Sequence, residues 1–118
     1  MRQAFAHEAV LDMGPDADTH APGAAITVAL CGHWEHQPPC PLAPHHTRAD
    51  RVGGEVRLRI LFVTEPESEG TVRQRIDTAL SSGELSGPDG LTRWRLRTSG
   101  SDVVRPEESD HAQRLARS

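Results

Sequence analysis

The sequence predicts an α+β fold, a two-layer sandwich with a small mixed β-sheet of three or four strands in β-loop-β-α-β-α order and one main helix on one face. Three observations predict it. Ile26, Val28 and Leu30 alternate with Thr27, Ala29 and Cys31, and Val56, Leu58, Ile60 and Phe62 alternate with Arg57, Arg59, Leu61 and Val63, the period of two expected of half-buried strands. Val72, Ile76 and Leu80 recur at four-residue spacing, one apolar helical stripe. Trp94 and Leu96 then alternate with Arg93, Arg95 and Arg97, a third strand.

In chain order, residues 2–13 suit a short helix with Phe5, Val10 and Met13 on a loose stripe. At that length it is marginal without a packing partner. The Pro-, Gly- and Asp-rich stretch 14–23 reads as a linker. This divides the chain into an N-terminal segment and linker (1–23), a single domain (24–105) and a C-terminal helix or tail (106–118). The first strand starts at Ile26, and a loop follows over 37–54, which holds four Pro and two Gly. The second strand runs through 56–63. Thr64-Glu65-Pro66-Glu67 has the form of a helix start, with Thr64 as cap, Pro66 in the first turn and Glu67 completing a capping box. Gly83 ends that helix. Residues 83–90 make a turn, 91–98 the third strand and 99–102 a turn or bulge. Pro106 to Arg117 suits a terminal helix, acidic first and basic last, as the helix dipole prefers. The first two strands are expected to be antiparallel neighbours. The second and third, flanking a helix, are expected to form a parallel crossover.

Composition narrows the function classes. The chain of 118 residues has 13 Arg and no Lys, 17 Asp plus Glu, and a formal net charge of −4. Leu, Val, Ile and Phe total 23 residues, so the core is small and local. Without Lys there is no Schiff base and no phosphate-loop lysine; without Asn there is no N-glycosylation site; without Tyr there is no phenolic acid or base. The shortage of residues with AT-rich codons points to a high-GC bacterial genome. No apolar run approaches the roughly 18 to 20 residues that span a bilayer, and residues 1–13 lack the features of a signal peptide. A cytoplasmic protein without a membrane partner is expected; the mild acidity argues against whole-surface binding to nucleic acid or an anionic membrane, and leaves room for a local basic patch.

One segment carries potential chemistry. Residues 31–46, CGHWEHQPPCPLAPHH, hold both Cys and four of the seven His. Thiolate and imidazole are the donors zinc prefers, and a tetrahedral site needs four. The available ligands are Cys31, His33, His36, Cys40, His45 and His46. The preferred set is Cys31, His33, Cys40 and either His45 or His46, with His36 as substitute. Copper and nickel are alternatives; no organic cofactor is indicated. If the first strand continues, Cys31 and His33 project from one face about 6 to 7 Å apart, with Trp34 on the core face. Pro38, Pro39, Pro41 and Pro44 stiffen the return. The spacing matches neither a CxxC finger nor an HExxH helix. Glu35 and His36 are the candidate catalytic residues beside an open metal position. The competing readings are a buried thiol at Cys31, solvated loop histidines and a Cys31–Cys40 disulfide.

Arg57 and Arg59 share one strand face, and Arg93, Arg95 and Arg97 share another. On neighbouring strands they form a surface for an anionic ligand or an acidic partner, unless they cross-pair with local carboxylates. The sequence therefore points to a small metal-binding domain, zinc first, with an arginine-rich sheet face. The alternatives are a homodimerising or partner-binding module without metal, and a small accessory enzyme with the His-rich loop as its active site.

Overall fold

A computed structural model describes residues 2–31, 43–87 and 90–117, without the side chain of Cys31. The fold is α+β, as the sequence predicts, but several elements exchange roles. Strand β1 spans Gln3–Asp12, helix α1 Ala21–Cys31, strand β2 His45–Val52 and strand β3 Glu55–Thr64. A 3-10 turn at Pro66–Ser68 leads into α2, Glu69–Ser81. Strands β4 (Glu84–Gly87) and β5 (Gly90–Arg93) pair with each other as a separate two-stranded ribbon. Strand β6 covers Arg95–Asp102, and a second 3-10 turn, Pro106–Glu108, opens helix α3, Ser109–Ala116.

The main sheet has the order β2-β3-β1-β6, and all its neighbouring pairs are antiparallel. Both β3 and β6 oppose β1, so they run parallel to one another with β1 between them. The expected parallel crossover through α2 therefore exists, but it strides over a strand. Leaving aside the β4–β5 ribbon and α3, the connectivity is βαββαβ, the ferredoxin-like split arrangement. Among the described residues, no helix is long and apolar enough to cross a membrane.

The helix expected over 2–13 is strand β1. Its inward set is Phe5, His7, Ala9 and Leu11, opposite Phe62, Ile60, Leu58 and Val56. His7 and Ala9 hide the alternation, because neither is a strong apolar signal. The strand expected from Ile26 is helix α1. Ala21, Ala25, Ile26 and Leu30 are buried together, which is helical spacing, and Pro22 suits a first turn. The loop expected over 37–54 contains β2, whose HHTRADRV sequence is polar because it is an edge strand with one face in water. It turns into β3 through Gly53, at φ +63, a hairpin turn that needs a left-handed first residue.

The third expected strand divides at Trp94. The Trp94 backbone N–H donates to Gly83 O at 2.9 Å and its indole N–H to Leu80 O at 2.8 Å, pinning the chain to the end of α2 before β6 begins. Helix α2 buries Val72, Ile76 and Leu80, as the stripe predicts. These residues pack with Ile26 and Leu30 of α1 against Leu11, Val56, Leu58, Ile60 and Phe62 of the sheet. The helix layer thus holds two helices on this face, one more than expected. Helix α3 lies on the opposite face over β3 and β1, with Ala112 buried against it.

Gly83 has φ +72, and a Cβ there would stand 2.9 Å from Trp94 O. Gly83→Ala should lower the unfolding free energy by about 1 to 3 kcal/mol, measured by urea denaturation. Gly54→Ala, where a Cβ meets nothing within 4 Å, should change it by less than about 0.5 kcal/mol.

Candidate functional site

The register of β2 separates the two adjacent histidines. His45 opposes Phe62 and faces the helix layer, whereas His46 opposes Leu61 and faces α3. The His45 Nε2 lies 3.0 Å from Thr27 Oγ1 and its Nδ1 3.2 Å from Ala43 O. The His46 ring meets the His111 ring with centroids 4.5 Å apart. Burial first, then neighbouring His111 and Arg48, holds the His46 imidazole below its ordinary pKa. Neighbouring strand residues project to opposite faces, so His45 and His46 do not converge on one ion. Cys31 is the last residue of α1, one helical turn beyond Thr27. The expectation that Cys31 and His33 project from one strand face fails, because Cys31 ends a helix. His33, Trp34, Glu35, His36 and Cys40 lie outside the described residues. Among the described residues, no cluster of three or more His, Cys, Asp or Glu side chains is placed to hold a metal ion.

The arginines fall less uniformly than expected. Arg57 and Arg59 lie on the outer face of β3, and Arg95 opposes Asp12 across β6 and β1. A register shift beside Val10 and Leu11 brings Arg97 within 3.4 Å of Asp12 and 3.2 Å of Glu55. Arg93 belongs to β5, off the main sheet, with Glu84 at 3.6 Å.

Arg59 is the centre of this face. Its side chain is only 6% exposed, yet all its N–H donors are used. Nε and Nη2 donate to the two oxygens of Glu108, Nη1 to Glu8 and Asp102, and Nη2 also to Val103 O, all within 2.6 to 2.8 Å. The paired bond to Glu108 is the fork that guanidinium favours. Hydrogen bonding from Arg59 holds the Glu108 pKa down to about 2 and lowers that of Asp102. Carboxylates from β1, β3, β6 and the α3 entrance thus already occupy Arg59 and Arg97, and an anionic partner would have to displace them. Arg57 and Arg95 make no ion pair among the described residues.

A second polar centre, which sequence spacing could not suggest, joins β1, α2 and β6. Buried His7 has its Nδ1 3.0 Å from Arg73 Nη1 and its Nε2 2.7 Å from Ser99 Oγ, and Ser99 Oγ donates to Asp77. The residue types suggest a nucleophile with its base, but the protons run the wrong way. Guanidinium only donates, so Nδ1 accepts and Nε2 carries the proton toward Ser99. His7 therefore offers Ser99 no base, and the chain of bonds ties helix to sheet. Burial is the main cause of the lowered pKa of His7; Asp77 opposes the shift and Arg73 adds to it.

An apolar concavity flanks α1. A cleft of about 580 Å³ lies between residues 16–20, the outer side of α1 and the β4–β5 ribbon. Ala17, Ala21, Ala24, Val28, Leu85 and Leu91 line it, with Asp16, Asp18 and His20 along one wall and Ser86, Thr92 and Arg93 along the other. A shallower groove between α1 and α2 shares Val28 and Leu85 with it. The sequence carried one signal for this site: residues 21–31 include no charged side chain.

Replacing Arg59 with Met should leave Glu8, Asp102 and Glu108 facing one another with only the half-exposed Arg105 beside them. We expect a loss of roughly 3 kcal/mol in unfolding free energy, measured by denaturation at neutral pH, and a smaller loss for Glu8→Gln, since Glu8 is half exposed.

Comparison of the chain with protein families, with curated proteins and with solved structures gives no match. Because this fold hosts many activities, its functional reading rests on the sites themselves.

Proposed function

We propose that the chain is a small-molecule binding module whose site is the cleft between α1 and the β4–β5 ribbon. The observation that carries this reading is a helix without charge that turns apolar side chains into an open cleft. Val28 is 36% exposed and Leu91 48%, and both line the same concavity. An apolar helix is ordinarily buried on all sides, so an exposed apolar face of this kind calls for a covering group. The volume is in the range of ligand pockets, and an apolar floor with a few polar groups at the rim is their usual chemistry. The fitting ligand has a compact apolar body and a polar edge.

The test uses indole, an uncharged aromatic fragment with one N–H donor, followed by amide chemical shifts. Indole should perturb Ala24, Val28 and Leu91 in the full chain, and Val28→Glu should abolish the perturbation while leaving stability within about 0.5 kcal/mol. Shifts confined to the outer sheet face, or binding that survives Val28→Glu, would overturn the proposal.

A second reading keeps the Cys/His segment as a zinc site. It is favoured by the concentration of donors in 31–46 and by His45 lying against α1 one turn before Cys31. To ligate, His45 would exchange one of its two ring contacts, Thr27 Oγ1 or Ala43 O, for the metal and keep the other as the bond that orients the ring. Native mass spectrometry of untagged protein should then find one zinc per chain, lost when Cys31 and Cys40 are both changed to Ser. Metal-free protein, or zinc retained in that variant, would exclude this reading.

A further inference from the structure

The four-stranded sheet ends in two edges of different quality. At β6 the register slips beside Val10 and Leu11, an irregularity of the kind that blunts an edge. At β2 the register against β3 is unbroken from His45 to Val52. Among the described residues no strand covers its other side. A concavity of about 250 Å³ opens there along His46–Ala49, lined also by Thr19, His20 and Gly23.

Alternation decides which backbone groups face this edge. The Val63 N–H donates to Pro44 O at 3.0 Å, one step beyond the His45–Phe62 pair. Bonded and non-bonded pairs alternate along an antiparallel ladder, so His46, Arg48 and Asp50 spend their backbone groups on β3. Thr47, Ala49 and Arg51 turn their N–H and C=O groups to the open edge. Arg48 and Asp50 stand on the outer face, 60% and 58% exposed and 3.1 Å apart. Thr47 and Ala49, on the face toward the helices, are small enough to let another strand approach.

We propose that β2 joins two copies of this chain edge to edge, antiparallel about a twofold axis at Ala49, making their sheets continuous. Charge sets the register. With Ala49 opposite its own copy, Arg48 falls opposite Asp50 of the second copy, and Asp50 opposite its Arg48. The adjacent symmetric registers set Arg48 against Arg48 or Asp50 against Asp50, which like charges oppose. Both favourable pairs occupy non-bonded positions, where facing side chains come closest. Thr47 falls opposite Arg51, and the outward backbone groups of 47, 49 and 51 exchange hydrogen bonds across the axis. Val52, 53% exposed, gains cover opposite His46 of the second copy. A single charge on an edge strand repels its own copy and keeps edges apart; the Arg-x-Asp spacing is instead self-complementary, as a twofold interface requires.

Sedimentation equilibrium of the full chain at low ionic strength, where surface charges are least screened, tests this. The unchanged chain should dimerise. Its Ala49 amide should gain hydrogen-exchange protection as concentration rises, whereas the Arg48 amide, bonded to β3, should be protected at every concentration. This comparison needs no variant. Arg48→Asp and Asp50→Arg should each weaken dimerisation by about tenfold or more, because both facing pairs become like-charged. Mixing the two variants should restore association, since each carboxylate then meets a guanidinium, and so should both changes in one chain. A chain still monomeric at about 1 mM, a dimer whose Ala49 amide gains no protection, a dimer that survives either single change, or a mixture that stays monomeric would overturn the proposal.

Discussion

Strand β1 is hydrogen-bonded along both edges, to β3 and to β6, and this double pairing governs the rest of the molecule. A buried strand must place every backbone donor and acceptor, so β1 needs a partner on each edge, and both partners here run antiparallel to it. The crossings through α1 and α2 then lie on one face. Alternation along β1 also sends His7 inward, toward Arg73 and Ser99, and Glu8 outward, toward Arg59. Two consecutive residues thus organise the polar centres on opposite sides of the sheet. Small side chains at Ala6 and Ala9, both almost fully buried, let helices approach from either face.

Arg59 extends this order to the outer face. Its partners come from β1, β6 and the entrance of α3, segments far apart in the chain. Burying an ion pair seldom adds net stability over apolar packing, because desolvation opposes the Coulomb attraction. Its effect here is geometric: the guanidinium has enough donors to satisfy every partner only in this arrangement. The same saturation changes what the arginine face can do. The row of cations foreseen from alternation is interleaved with carboxylates. The apolar cleft beside α1 is consequently the better candidate for ligand recognition.

Legibility in the sequence followed the strength of local signals. The β3 strand and the α2 helix could be read because Val56 to Phe62 and Val72, Ile76 and Leu80 are strong apolar residues at unambiguous spacings. The β1 strand could not, since its inward positions include His7 and Ala9, and Ala and Glu are good helix formers. In α1, Ile26, Val28 and Leu30 fit a period of two as well as they fit part of a helix; burial of Ala21, Ala25, Ile26 and Leu30 decides it. The β2 strand lacked a signal because edge strands need little apolar surface. The arginines of β3 were assigned to the correct face, but their acidic partners lie some 40 to 50 residues away in sequence, beyond any local pattern. The inferred placement of Cys31 and His33 depended on a strand that is a helix.

The position of β1 has a consequence for synthesis. The strand that occupies the middle of the sheet is made before its partners, while Asp102, the partner of Ala6 on its far side, is made after the other three strands of the sheet. Until then one edge of β1 has no neighbour, and such an edge invites pairing with other chains. Contacts between segments far apart in the chain slow folding, because a long loop must close before they contribute. The early polypeptide can satisfy β1 on the β3 side only, through a β2–β3 hairpin that its Gly-Gly turn makes quick to form. Completion of the sheet must wait for β6, and the Arg59 centre for Glu108 a few residues later. Until β6 is made, the sheet can hold at most three strands, and the edge of β1 that β6 will cover is open to pairing with a neighbouring chain.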